Sequence, residues 1–250
     1  MPYGRKLSAK DIALVICFTA IYVVFGFLPI SPIIGLPGKN ITAASVMAPV
    51  MGLILGPYVA VLSTVLGGGI GFFFGSLSPP SFVSGVITAL CAGLLYIGKR
   101  GACAFLYFSL LFLFGFYPFV GPVWLYPLLM WFQIIGFLIL VSSLQSVALK
   151  NLNPARSSKL PFAIFMTSLT STLAGQIAGS LTFEFLSWPI FIADTNAWRA
   201  TWQILTFLYP AERTIIAVIA AFVGAALYKV LKSANLMTFL TRASSQEKRS

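Results

Sequence analysis

The stretch from Ile41 to Gly75 reads ITAASVMAPVMGLILGPYVAVLSTVLGGGIGFFFG and holds no charge in 35 residues. One bilayer crossing needs about 20 apolar residues, so this run is too long for one and suits two short ones. Two apolar segments meet at Gly56-Pro57. Pro57 lacks an N–H and biases Gly56 away from helical dihedrals, while Pro is well tolerated in the first turn of a following helix. The spacing predicts a tight helical hairpin, about Ile41–Leu55 and Pro57–Ser76, whose glycines let backbones approach closely. A phosphate-cradling loop is excluded. GGGIGFFFG lacks the third glycine of G-x-G-x-x-G, and no Lys-Ser or Lys-Thr follows it as in a P-loop.

The rest of the chain has the same character. It is 59% hydrophobic and 8% charged with a mean hydropathy of +0.96, against about 25% charged residues in a soluble domain. Alternating ten-residue strands are absent, so a β-barrel is not expected. The expected fold is an all-α integral membrane protein: a polytopic bundle of roughly six to eight transmembrane helices, with residues 1–240 as one domain and 241–250 as a polar cytoplasmic tail.

Helix 1 is expected over about Ile12–Leu28, with Ser8 and Asp11 spaced as a capped start. A Pro- and Gly-rich loop, Pro29–Asn40, precedes the hairpin. Ser78-Pro79-Pro80-Ser81 reads as a turn. Further helices are expected at about Phe82–Ile97, Ala104–Phe119, Trp124–Leu149 and Pro161–Phe185. Leu186–Trp202 reads as a polar aromatic loop, and the last helix begins near Pro210 and runs to about Leu231.

The net charge of +11 does not point to nucleic acid, because most cations flank hydrophobic runs as topology signals. With the N-terminus inside and each of eight segments crossing once, Lys39 and Arg199 fall outside and Arg213 falls in or near the membrane. The remaining thirteen of the sixteen cations fall inside. That asymmetry predicts a multi-pass cell-membrane protein with both termini cytoplasmic.

There is no His, and Cys17, Cys91 and Cys103 are dispersed without C-x-x-C spacing. The commonest metal ligand and general base is therefore missing, and no metal site, cofactor or catalytic constellation is expected. An acid pair assembled in three dimensions, such as Glu184 with Glu212, stays open.

Only five acids occur. Ionisable groups in hydrocarbon cost about 2.5–3.5 kcal/mol on insertion scales, so Glu184, Glu212 and Arg213 call for partners or a ligand. Glu212 in the first turn after Pro210 would be favoured by the helix dipole, whereas Arg213 would gain nothing from it. Arg213 either pairs with Glu184 or Glu212, snorkels to the interface, or meets a ligand. Gln176, Ser180 and Glu184 recur every four residues and form one polar stripe. Trp188, Trp198 and Trp202 read singly as interface anchors. Together with Asn40, Gln176, Glu184, Glu212 and Arg213 they define a candidate small-molecule pocket open to the outside. On helix 1, Ala9, Ala13 and Cys17 form a smooth stripe for helix–helix contact, either within the chain or with a partner subunit.

Four features make the chain resemble a substrate-binding S component of an energy-coupling factor transporter. They are the Ala9-x-x-x-Ala13 helix with TAIYVVFG, the outer loop after it, the uncharged Gly-Pro hairpin, and YPAERTIIAVIAAFVGAALYKVL near the end. They cover roughly the first 75 residues and about 25 near the end. The resemblance implies a small-residue face on helix 1 for a transmembrane coupling subunit, and ATPase subunits as the energy source. It also implies a vitamin-like substrate, since the N-terminal His of the nickel and cobalt members is missing. The alternative is a self-contained secondary transporter that uses Glu184, Glu212 and Arg213 within the membrane.

Overall fold

The computed structural model describes residues 8–36, 38–152 and 159–233. The expected tail at 241–250 lies outside them. Among the described residues the chain is a helical bundle with one small β-hairpin. The helices are α1 (Ala9–Gly26), α2 (Ala44–Phe73), α3 (Pro79–Tyr96), α4 (Arg100–Gly115), α5 (Pro122–Leu125), α6 (Trp131–Val141), α7 (Ser143–Asn151), α8 (Leu160–Ser187) and α9 (Thr195–Ser233). Five of them, α1, α2, α3, α8 and α9, are long and apolar enough to cross a membrane. The bent pair formed by residues 127–141 and α7 makes a sixth if taken as one span. The chain is therefore an all-helical bundle of multi-pass membrane character.

Helix α1 starts at the expected cap. Ser8 Oγ accepts from the Asp11 N–H, and the Asp11 carboxylate accepts from the Ser8 N–H at 3.1 Å, a reciprocal capping box. Its Ala9, Ala13 and Cys17 lie on the exposed side of the helix, so that stripe is not used in packing within the chain.

Helix α2 is two helical limbs meeting at Gly56, whose φ of 75° and ψ of 174° lie where only glycine is unstrained. Its two limbs double back on each other. Ala43, just before the first limb, donates its N–H to Leu28 O at 2.9 Å. Nearby Gly26 faces Ser76 and Leu77, and so does Gly71 near the end of the second limb. The break itself touches Gly93 near the far end of α3. Both ends of α2 therefore lie at one end of the bundle and the Gly56-Pro57 knuckle at the other, as the hairpin reading expected.

Elsewhere the expected boundaries need correction. The Ser78–Ser81 turn is the start of α3: Ser78 Oγ accepts from the Ser81 N–H at 3.3 Å, and Pro79 and Pro80 occupy the first turn, where no N–H is needed. The Pro29–Asn40 loop contains β1 (Pro29–Pro32), paired antiparallel with β2 (Asn40–Thr42). The single helix expected over Trp124–Leu149 is instead α5, a 3-10 turn (Pro127–Met130), α6 and α7. Helices α6 and α7 meet at a 64° bend. At that bend Ser142 is extended and its hydroxyl caps α7 through the Leu144 N–H. Arg100, expected in a loop, lies in α4 and clamps the bend. Its Nε donates to Leu140 O at 2.6 Å, its Nη2 to Ser142 O at 2.8 Å, and its Nη1 to Ser146 Oγ.

The largest correction concerns α9, which begins at Thr195 and passes straight through Pro210. Trp198 and Trp202 are thus helical, and Glu212 does not sit in a first turn. A proline inside a helix orphans the carbonyl four residues earlier. That carbonyl, Thr206 O, accepts from the Trp131 indole N–H at 3.0 Å. Trp131 thereby repairs the helix at its proline.

Candidate functional site

The site begins with packing. Gly175 and Gly179 on α8 lie against Ser84, Thr88 and the Pro80 carbonyl of α3, so the two helices approach closely along this edge. Beside that contact a cavity lies at the end of the bundle where both limbs of α2 end. Its volume is about 70 Å³, room for a few waters or a small polar head, within a wider space of about 810 Å³ that includes the open mouth.

Five helices and the β-hairpin wall it. Tyr22 comes from α1, Ala44 and Ser45 from α2, and Pro80, Ser81, Ser84, Gly85 and Thr88 from α3. Gln176, Gly179, Ser180 and Phe183 come from α8, and Leu205, Leu208, Tyr209, Glu212 and Arg213 from α9. Pro32, Ile33, Ile34, Ile41 and Thr42 of the hairpin segment close one side.

The charged pair lies deep in the bundle. Arg213 is 5% exposed and Glu212 is 7% exposed. Arg213 Nη2 and Glu212 Oε2 stand 3.9 Å apart, at the outer limit of an ion pair. Glu212 Oε1 accepts from the Ser31 hydroxyl, which ties the hairpin to α9. Arg213 Nε, Glu212 Oε2 and both amide atoms of Gln176 are buried with no hydrogen-bond partner among the described residues. Buried polar groups are nearly always paired, so four unpaired atoms on one cavity wall mark a place prepared for something else to bond. Ser180 Oγ donates to the Tyr209 hydroxyl at 3.4 Å.

Of the residues singled out from sequence, Gln176, Glu212 and Arg213 meet in this wall, joined by Ser180 of the same stripe. The others are elsewhere. Glu184 is fully buried with both carboxylate oxygens unpartnered among the described residues, but it is not in the wall, and no ion pair links it to Arg213. Trp198 and Trp202 belong to the core rather than to the cavity. Both are 0% exposed, with ring centroids 5.3 Å apart. Their indole N–H groups donate to Ile192 O at 2.9 Å and Val120 O at 2.8 Å. Trp198 backs Phe183, a wall residue, at 5.1 Å. Trp188 packs on Phe119 at 6.2 Å, and Asn40 is exposed on β2. None of these four lines the cavity: the three tryptophans lie in the first turns of α9 and its lead-in rather than in an outer loop, and Asn40 lies in β2.

Sequence reasoning passed over Tyr22, Ser84, Thr88 and Tyr209. Ser84 and Thr88 carry a signal, since hydroxyls four residues apart share a helix face. Tyr22, inside an apolar run, carries none.

Searches against family models, curated proteins and solved structures return no match to this chain.

Proposed function

We propose that the protein is the substrate-capture subunit of an ATP-driven uptake system, of the energy-coupling factor S-component kind, that takes up a small water-soluble, vitamin-like nutrient. The observation that carries this reading is the polar-lined cavity at one end of an apolar bundle, with Arg213, Glu212 and Gln176 in its wall and buried atoms of all three without a hydrogen bond among the described residues. The chain supplies binding and no chemistry of its own. Partner ATPases, acting through a transmembrane coupling subunit, supply the energy. The exposed Ala9, Ala13 and Cys17 stripe is the proposed face for that subunit, since small residues let helices approach closely.

The proposed topology has eight crossings: α1, the two limbs of α2, α3, α4, α6, α8 and α9. Both termini are cytoplasmic, in the cell membrane. Supporting this orientation, the cavity end carries Lys39. The knuckle end gathers Leu53, Ala92, Leu152, Leu160 and Tyr228, close in sequence to Lys99, Lys150, Lys159 and Lys229. Co-expression with tagged coupling and ATPase subunits, followed by pull-down, tests the reading. A complex is the expected result. Transport by the chain alone, with no complex formed, refutes it.

One observation favours a second reading, a self-contained secondary transporter. Glu184 is a buried carboxylate with no partner among the described residues, and such groups serve as proton relays in transporters. Proton-driven uptake into vesicles free of ATPase, abolished by Glu184→Gln, would establish it in place of the first.

A further inference from the structure

We infer that the ligand is a zwitterion of the α-amino-acid type with an uncharged body. The inference rests on the capture reading only in taking the cavity as a ligand site. Arg213 and Glu212 place one fixed cation and one anion in the same wall. Nε of Arg213 and Oε2 of Glu212 have no hydrogen bond among the described residues, and Oε2 has only the 3.9 Å ion pair to Arg213 Nη2. A cavity bearing one charge of each sign is matched by a ligand that also carries one of each and is neutral overall. A ligand carboxylate takes the planar donor edge of Arg213, and a ligand ammonium takes the Glu212 carboxylate in place of that long ion pair.

Spacing narrows the class. The two protein charges sit on adjacent residues with their nearest atoms 3.9 Å apart. An α-amino acid holds its ammonium and carboxylate on one carbon, so both ends meet their partners together. A chain with its charges at opposite ends does not. Between the two protein groups the ligand head replaces a long, weak ion pair with two charge-assisted contacts. The unpaired Gln176 amide, 3% exposed, offers a donor and an acceptor beside them. The rest of the space mixes apolar groups such as Ile34, Leu205 and Leu208 with hydroxyls such as Ser45, Ser84 and Thr88 and holds no further charge, so the ligand body is uncharged.

The test uses the full chain in nanodiscs of phosphatidylglycerol, a lipid without an ammonium group, so that any zwitterion detected is the one added. The proteinogenic amino acids are screened by thermal shift. The tightest is then compared by calorimetry with its N-acetyl derivative, its methyl ester and the ω-amino acid of equal carbon number. At least one amino acid with an uncharged side chain is expected to bind, and each of the three comparators should bind about tenfold or more weaker. Arg213→Met should lose affinity for the amino acid by a similar factor. The derivative series on the unaltered chain carries the test if that variant fails to fold. Absence of binding by every amino acid, or equal binding of the acetylated and esterified forms, overturns the inference. Pull-down of ATPase subunits is scored separately. A chain that recruits them and ignores zwitterions refutes the ligand class alone, whereas one that binds zwitterions and recruits nothing refutes the uptake-subunit reading alone.

Discussion

Replacing Gly93 with Ala probes the knuckle on which the α2 hairpin turns. A Cβ at Gly93 would stand 2.5 Å from both the N and Cα of Pro57 and 3.0 Å from the carbonyl carbon of Gly56. All three are backbone atoms in a segment held at both ends, so none can swing aside as a side chain would. Overpacking costs about 1–3 kcal/mol, and backbone contacts put this case near 3. Alanine recovers up to about 1 kcal/mol of helix propensity over glycine. The net expected loss is therefore about 2 kcal/mol, or a fall in Tm of about 4–8 °C for a chain of this size. Gly101→Ala is the control. It lies in α4 with nothing within 4 Å of its would-be Cβ, so the propensity gain should stand alone and Tm should hold or rise slightly. Both variants are read by intrinsic-fluorescence melting in the same detergent. Gly93→Ala melting with or above the unaltered chain would mean that the knuckle does not press on α3, and the argument for the doubled-back limbs would fall with it.

Arg213→Met should weaken ligand binding tenfold to a hundredfold, the worth of a charge-assisted contact, while the protein stays in the membrane; calorimetry on folded protein checks it. Adding Glu212→Gln to Arg213→Met should recover stability if the pair mainly neutralises itself, but leave binding defective if both touch ligand, as melting and calorimetry on the double variant will tell. Arg100→Met strips donors from Leu140 O, Ser142 O and Ser146 and should cost about 1.5–3 kcal/mol, seen as a lower Tm with ligand affinity unchanged. Ala13→Leu, on the exposed face of α1, should reduce co-purification of the coupling subunit without altering ligand affinity; a loss of both would point to a folding defect instead.

Local rules carried the reading of this chain as far as local causes reach. The Ser8–Asp11 cap and the Gly56-Pro57 hairpin are written within a few residues of where they act. The passage of α9 through Pro210 is not, because the donor that makes it tolerable is the Trp131 indole, 75 residues earlier in the chain. The break between α6 and α7 likewise depends on Arg100, about 40 residues away. Misplacing the start of α9 turned Trp198 and Trp202 into loop residues and so into ligand contacts, when they are buried braces. The polar stripe on α8 and the Glu212-Arg213 dipeptide were legible because burying such groups in an apolar segment is costly wherever the segment lies. Their convergence with Ser84 and Thr88 needed the glycine contacts between α3 and α8, which no spacing along one helix reveals.

One side of the bundle is shorter than its central helix. Helix α4 has 16 residues, about 24 Å of rise, and α6 with its preceding 3-10 turn reaches about the same. Helix α8 has 28 residues and rises about 42 Å. A hydrocarbon layer of about 30 Å overshoots the height of α4 and α6. With α4 and α6 as crossings, as proposed above, lipid beside them thins locally, and α7, turned away at the Arg100 clamp, lies where the shortened span ends. Mismatch costs fractions of a kcal/mol per Å, so the protein should melt higher in short-chain than in long-chain lipid and partition toward thinner membrane.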